Sequence, residues 1–80
     1  MKIGRVTHYF DKIKVAIVEL DGSLAVGDMI RFERGGEEMF EQKVESMQVE
    51  HDEIAEAKKG DIIGLKVERE VREGAEIYKA

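Results

Sequence analysis

Eighty residues make one small domain, and a chain that is 42% apolar, 39% charged and net −5 is not collagen-like, low-complexity or disordered. No apolar run approaches the roughly 20 residues of a membrane helix, and zero cysteines exclude disulfides, thiolate zinc sites and thiol nucleophiles. The acidic balance argues against a general nucleic-acid binder that works by neutralising phosphates.

Lys2–Phe10 reads as a first strand with Ile3 and Val6 as core candidates, followed by a tight turn at Asp11-Lys12. Ile13–Leu20 is the strongest strand signal, with apolar residues on both faces, as in a strand covered outside or one carrying a bulge. Asp21-Gly22 suits a type I′ hairpin, in which both central residues need φ > 0. Met29–Arg34 follows, with Ile30 and Phe32 on one face, and then Gly35-Gly36 as a second hairpin turn. Glu38–Glu50 reads as one long strand whose apolar parity switches near Ser46, which predicts a bulge there. Asp52–Lys59 is helical by propensity, but its place between strands favours a short strand and turn with Ile54 and Ala57 inward. Ile62–Glu68 and Glu76–Lys79 complete six or seven strands. Sixteen Val and Ile against three Leu agree with an all-β chain. No internal repeat or linker is visible, so residues 1–80 are expected to form one domain.

The charge is uneven. Residues 1–14 carry a net +3 and residues 37–56 a net −7. These are solvated faces, or a small basic patch that accepts RNA beside an acidic one that repels it. The opening MKIGRVTHYFDK has no apolar signal-peptide centre, and together with the absence of cysteine this predicts a cytoplasmic protein. No Asn, two Gln, 13 Glu and 8 Lys are the composition of a thermophile's protein, against which the absence of proline weighs mildly.

Chemistry-bearing motifs are few. Gly22 and Gly27 have phosphate-loop spacing, but Asp28 and Met29 stand where Lys and Ser/Thr belong, so no nucleotide binding is expected. His8 and His51 are far apart in sequence, and His51-Asp52-Glu53 alternate faces on a strand, so no metal site is expected. Thr7, Ser23 and Ser46 form no recognisable nucleophilic constellation; no cofactor and no enzymatic activity are expected. Tyr9 and Phe10 beside Lys12 and Lys14 could stack a base and hold its phosphate, or simply plug the end of the fold.

The segment Val44–Val67 carries Val44, Ser46, Met47, His51, Ile54, Ala57, Gly60, Asp61, Ile63 and Gly64 in a pattern that resembles the second, β-barrel domain of elongation factor one-alpha and elongation factor Tu. Gly27-Asp28-x-Ile30 and Arg72-x-Gly74 with Ile77 extend the resemblance to nearly the whole chain. It implies a closed six-stranded Greek-key barrel, with Gly60-Asp61 turning into a central strand and Gly64 letting the walls approach closely. It also implies a non-enzymatic module contacting RNA or a translation-associated protein, through a groove at Gln48 and His51 or through the basic residues Lys2, Arg5, Tyr9, Lys12 and Lys14. Glu50 stands where the family commonly has a first histidine. Similar barrels also occur as C-terminal modules of collagenase-like peptidases, which implies the alternative of an accessory subunit docking on a partner enzyme.

Overall fold

The computed structural model describes residues 2–80. They form ten strands: β1 (Lys2–Phe10), β2 (Val15–Leu20), β3 (Leu24–Ala25), β4 (Met29–Arg34), β5 (Glu37–Lys43), β6 (Met47–Val49), β7 (Asp52–Ile54), β8 (Glu56–Ala57), β9 (Ile62–Lys66) and β10 (Glu76–Lys79). Eight belong to one sheet in the order β5-β4-β10-β1-β2-β9-β6-β7, and β3 pairs with β8 in a small second sheet. Among the described residues no helix is long and apolar enough to cross a membrane.

The large sheet buries one face in one cluster. Ile30 and Phe32 of β4, Ile77 of β10, Ile3 and Val6 of β1, Val18 and Leu20 of β2, and Ile63 and Leu65 of β9 share it. A single sheet can put so many strands around one core only by coiling over on itself. β3 and β8 cap it with Leu24 and Ala57, both buried.

The closed barrel expected from the sequence is not formed. The outer strands β5 and β7 do not pair, so the wrap stays open, in the manner of a sandwich. A side chain ties β5 to the end of β9. Gln42 on β5, only 4% exposed, donates from Nε2 to the Lys66 carbonyl at 3.0 Å and accepts the Glu68 N–H at 2.9 Å. One amide thus satisfies two backbone groups at the end of β9.

Three turns share one geometry. In Ala25–Asp28, Lys58–Asp61 and Arg72–Ala75 the fourth N–H donates to the first carbonyl, at 3.1, 3.0 and 3.0 Å. The third residue is Gly27, Gly60 or Gly74, with φ of 100°, 93° and 90°. This is the type II pattern, in which glycine at the third position relieves the Cβ clash. Each turn then clamps a core residue. The glycine N–H donates to Val44, Leu20 or Val6, and the N–H of that residue donates to the carbonyl after the glycine, all at 2.8–2.9 Å. Ile30, Ile63 and Ile77, three positions beyond the glycines, are buried where the following strands begin.

Several local expectations need correction. Asp21-Gly22 is not a hairpin, because β2 pairs with β1 and β9 and the chain then leaves for β3. Gly22 has no positive φ; the N–H groups of Asp21 and Gly22 converge on the Ile3 carbonyl at 2.7 and 3.2 Å. Glu38–Glu50 is not one strand. It breaks at residues 44–46 into β5 and β6, and the parity switch marks that break. Ladder irregularities lie instead in β1, between Lys2 and Gly4 and between Val6 and His8, and in the β4–β5 ladder, where Met39 of β5 is left without a partner. Asp52–Lys59 is extended, as β7 and β8, with Ala57 buried and Ile54 packed on the core.

Candidate functional site

The outer face of β2, β9 and β6 carries a groove. Register sets it out: His8 lies opposite Ile17, Ile17 opposite Gly64, and Gly64 opposite Gln48. Gly64 has no side chain, so the row dips at its centre. Two adjoining depressions of about 400 and 220 Å³ share Ile13, Val15, Gln48 and Gly64. Ser46 and Lys66 complete the first; Phe10, Ile17, Glu50 and His51 complete the second. A methyl group at Gly64 would touch Val15 Cγ1 at 3.4 Å and would project into this space. The glycine of close approach is Gly4, where an added Cβ would stand 2.9 Å from the Glu19 carbonyl oxygen.

The floor is apolar and open to water. Ile13 is 57% exposed and Phe10 45%, with Val15 and Ile17 half-buried beside them. Ile62, 58% exposed, follows on the same face of β9. The Phe10 ring is held edge-on by the His8 imidazole, centroids 4.5 Å apart, and His8 Nδ1 lies 3.1 Å from Glu73 Oε2. Lys66 Nζ donates to the Ile13 carbonyl at 3.1 Å, which ties the β1–β2 turn to β9.

The backbone around the groove is strained. Among the described residues only Lys14, Glu50 and His51 combine a side chain with positive φ, at 54°, 50° and 72°. Glu50-His51 is the two-residue turn joining β6 and β7, a position pair that favours Asn-Gly. Lys14 ends the β1–β2 turn between the groove residues Ile13 and Val15. A non-glycine residue in this region costs roughly 1–2 kcal/mol. Glu50 and His51 line the groove and Lys14 adjoins it, while glycine fills the other five positive-φ positions among the described residues.

Gln48 and His51 thus lie together on the groove, with Lys12 and Lys14 in the neighbouring turn. The remaining expected binding residues do not join them. Lys2 and Arg5 lie toward the far end of β1, paired with Glu76 at 3.4 Å and Glu19 at 3.2 Å. Tyr9 turns inward against the core, where desolvation, reinforced by Glu70 and Asp11, raises its phenol above the ordinary tyrosine range. Ser46 lines the groove, Ala57 is buried in β8, Gly60 and Asp61 form a turn, and Gly64 is the floor. Sequence reasoning singled out Phe10 only as a base-stacking candidate and missed Ile13, Val15, Ile17 and Lys66 as site residues. For Ile13, Val15 and Ile17 the signal was the two-faced apolar pattern of Ile13–Leu20. Among the described residues no hydrogen bond joins Ser46 to His51, and no three His, Asp or Glu side chains gather as a metal-ligand set.

No family model matches the chain. It is 38% identical over 78 residues to an uncharacterised protease of Methanocaldococcus jannaschii; those residues are 98% of this chain and 19% of the relative. The chain therefore spans about a fifth of the length of the curated relative it matches. Among solved structures it is similar to the C-terminal domain of a candidate U32 peptidase of Geobacillus thermoleovorans. The selenomethionine form superposes with a TM-score of 0.91 at 25% identity, over 99% of both chains. A second crystal structure of that domain gives 0.89 at 25% identity, over 98% of this chain and 90% of the other. These likenesses and the unclosed sheet overturn the elongation-factor resemblance: over nearly its whole length the chain is similar to the C-terminal domain of a U32-type peptidase.

Proposed function

We propose that this chain is the accessory domain of a U32-peptidase-type protein, without catalytic residues of its own, and that it docks on the catalytic part. The observation that carries the reading is the near-complete superposition on a peptidase's C-terminal domain, together with a match to only a fifth of a longer protease. The groove supports docking, since the exposed apolar side chains Phe10, Ile13 and Ile62 gather at and beside it. A cytoplasmic location is part of the same proposal, supported by the cysteine-free composition.

The test uses the M. jannaschii protease with its matching segment removed. This chain, added in trans, is expected to form a 1:1 complex by size-exclusion chromatography with light scattering and to restore the truncated enzyme's stability or turnover. The absence of both association and any functional effect, with each component folded, would overturn the docking reading.

A further inference from the structure

We infer that the Gly64 groove is a peptide-recognition site, taking one apolar side chain of a polypeptide partner with a carboxylate on one flank and a cation on the other. It rests on the docking reading above and names the surface used. Two observations carry it. The first is where the strain lies. Glu50 and His51 line this groove and Lys14 sits in the turn between two of its lining residues, although glycine serves at every other positive-φ position among the described residues. Strain retained around one site is a mark of function. The second is charge. Lys66 stands at one end of the trough and Glu50 at the other, with an apolar floor between them, and neither has an ion-pair partner among the described residues.

The occupant follows from these features. The trough is open to solvent, so it does not enclose a small molecule as ligand pockets do. RNA is disfavoured, because Glu50 lines the groove and Glu53 lies opposite Gln48 in the β6–β7 ladder, and both would repel phosphates. A side chain the size of leucine fits over Gly64, where the protein supplies none. Lys66 then faces an acidic residue of the partner, and Glu50 a basic one.

The test is a ¹H–¹⁵N NMR titration of the labelled chain with the blocked peptide Ac-Glu-Ser-Leu-Ser-Lys-NH2, its reversed sequence, and a version with glycine for leucine. Oligouridylate and the truncated M. jannaschii protease are run beside them. One leucine peptide should shift Ile13, Val15, Gln48 and Gly64, and the glycine version should bind at least tenfold more weakly. Two variants keep the outcome readable. Gly64→Leu fills the trough, and the double substitution Glu50→Asn, His51→Gly relieves the turn. Both should lose at least tenfold in affinity, and the double variant should melt at a higher temperature than the parent. Equal binding by the leucine and glycine peptides, or by parent and variants, overturns the site, as does preferential binding of oligouridylate there. If the truncated protease binds with shifts confined to another face, the groove assignment falls and the docking reading stands. If the leucine peptide binds as described and the protease does not, the groove stands and the docking reading falls.

Discussion

Gly4 and Gly64 look alike in the sequence, one glycine in each of two strands, and the structure gives them opposite meanings. At Gly4 an added methyl would meet backbone at 2.9 Å and two side chains at 3.1 and 3.2 Å, inside the core. Gly4→Ala should therefore cost at least about 2 kcal/mol, in the range of overpacked cores; urea unfolding of the variant measures it. Gly64→Ala opens on the groove and should stay within about 0.5 kcal/mol of the parent. Gly60 differs again. Nothing lies within 4 Å of an added Cβ, but φ is 93°, so Gly60→Ala should cost roughly 1–2 kcal/mol through backbone conformation alone. The two tyrosines give a titration test. Desolvation raises both phenols above 10.0, reinforced by Glu70 and Asp11 at Tyr9 and by Glu76 and Glu33 at Tyr78. A phenol that holds its proton longer folded than unfolded makes stability fall as pH rises through the interval above 10. Ultraviolet titration of the native chain should place both transitions above pH 10, and the denaturant-unfolded chain should titrate near 10.

At the scale of elements, strands were the legible part. Lys2–Phe10, Met29–Arg34 and Glu76–Lys79 stand where alternation and turn residues placed them. Their pairing was less legible, because the same local chemistry serves several topologies. The Gly-Asp pairs read as a family signature are a turn device. In two of the three turns the aspartate also accepts the N–H three residues back, Asp28 from Ala25 at 3.0 Å and Asp61 from Lys58 at 2.9 Å. Any fold needing a tight turn into a buried strand can use it, so its recurrence says little about ancestry. Asp21-Gly22 misled for a related reason, since a Gly after Asp is compatible with a turn but does not oblige the following strand to return. The groove was half legible: Gln48 and His51 fall on it, but the sequence could not show that Phe10 and Ile13 reach the same trough across β2. Gln42 is the most telling single residue among the elements. Gln42→Leu leaves the Lys66 carbonyl and the Glu68 N–H unpaired in a buried seam, and should cost roughly 2–3 kcal/mol. Chemical denaturation measures that loss. Hydrogen exchange should speed up first at Glu68.

For the whole molecule, ion pairs gather around β4 and β10, while Phe10, Ile13 and Ile62 lie exposed at and beside the groove. Around β4 and β10, Arg31 pairs with Glu33 and lies over the Tyr78 ring, and Lys2 meets Glu76. On the exposed edge of β5, Glu37, Glu38 and Glu41 leave a row of carboxylates that discourages strand-to-strand aggregation. The groove side lacks such guards at its floor, which is where an interaction surface would have to be. Exposed ion pairs of this kind contribute little each, so salt should alter the stability of the isolated chain only slightly. Its docking through an apolar trough should likewise survive moderate salt. Raising sodium chloride from 50 to 500 mM in the binding assay with the truncated protease is expected to change affinity by less than about tenfold, far less than phosphate contacts would lose.

The first and last strands are neighbours, with Lys2 opposite Tyr78 in the ladder. The two ends of the chain are therefore within reach of a short flexible loop. A circular permutant follows: joining residue 80 to residue 1 through a few glycines and opening the chain between Gly35 and Gly36, at an exposed hairpin tip, should preserve every ladder described above. Such a permutant is expected to fold with the same β-type circular dichroism spectrum. The adjacency also bears on attachment. A domain whose ends meet can be appended to a host protein or spliced into one of its surface loops with equal ease. The groove lies at the other end of β1 from that junction, about 25 Å away along the strand at 3.3 Å per residue, so the hinge of attachment and the surface of recognition can move and evolve independently.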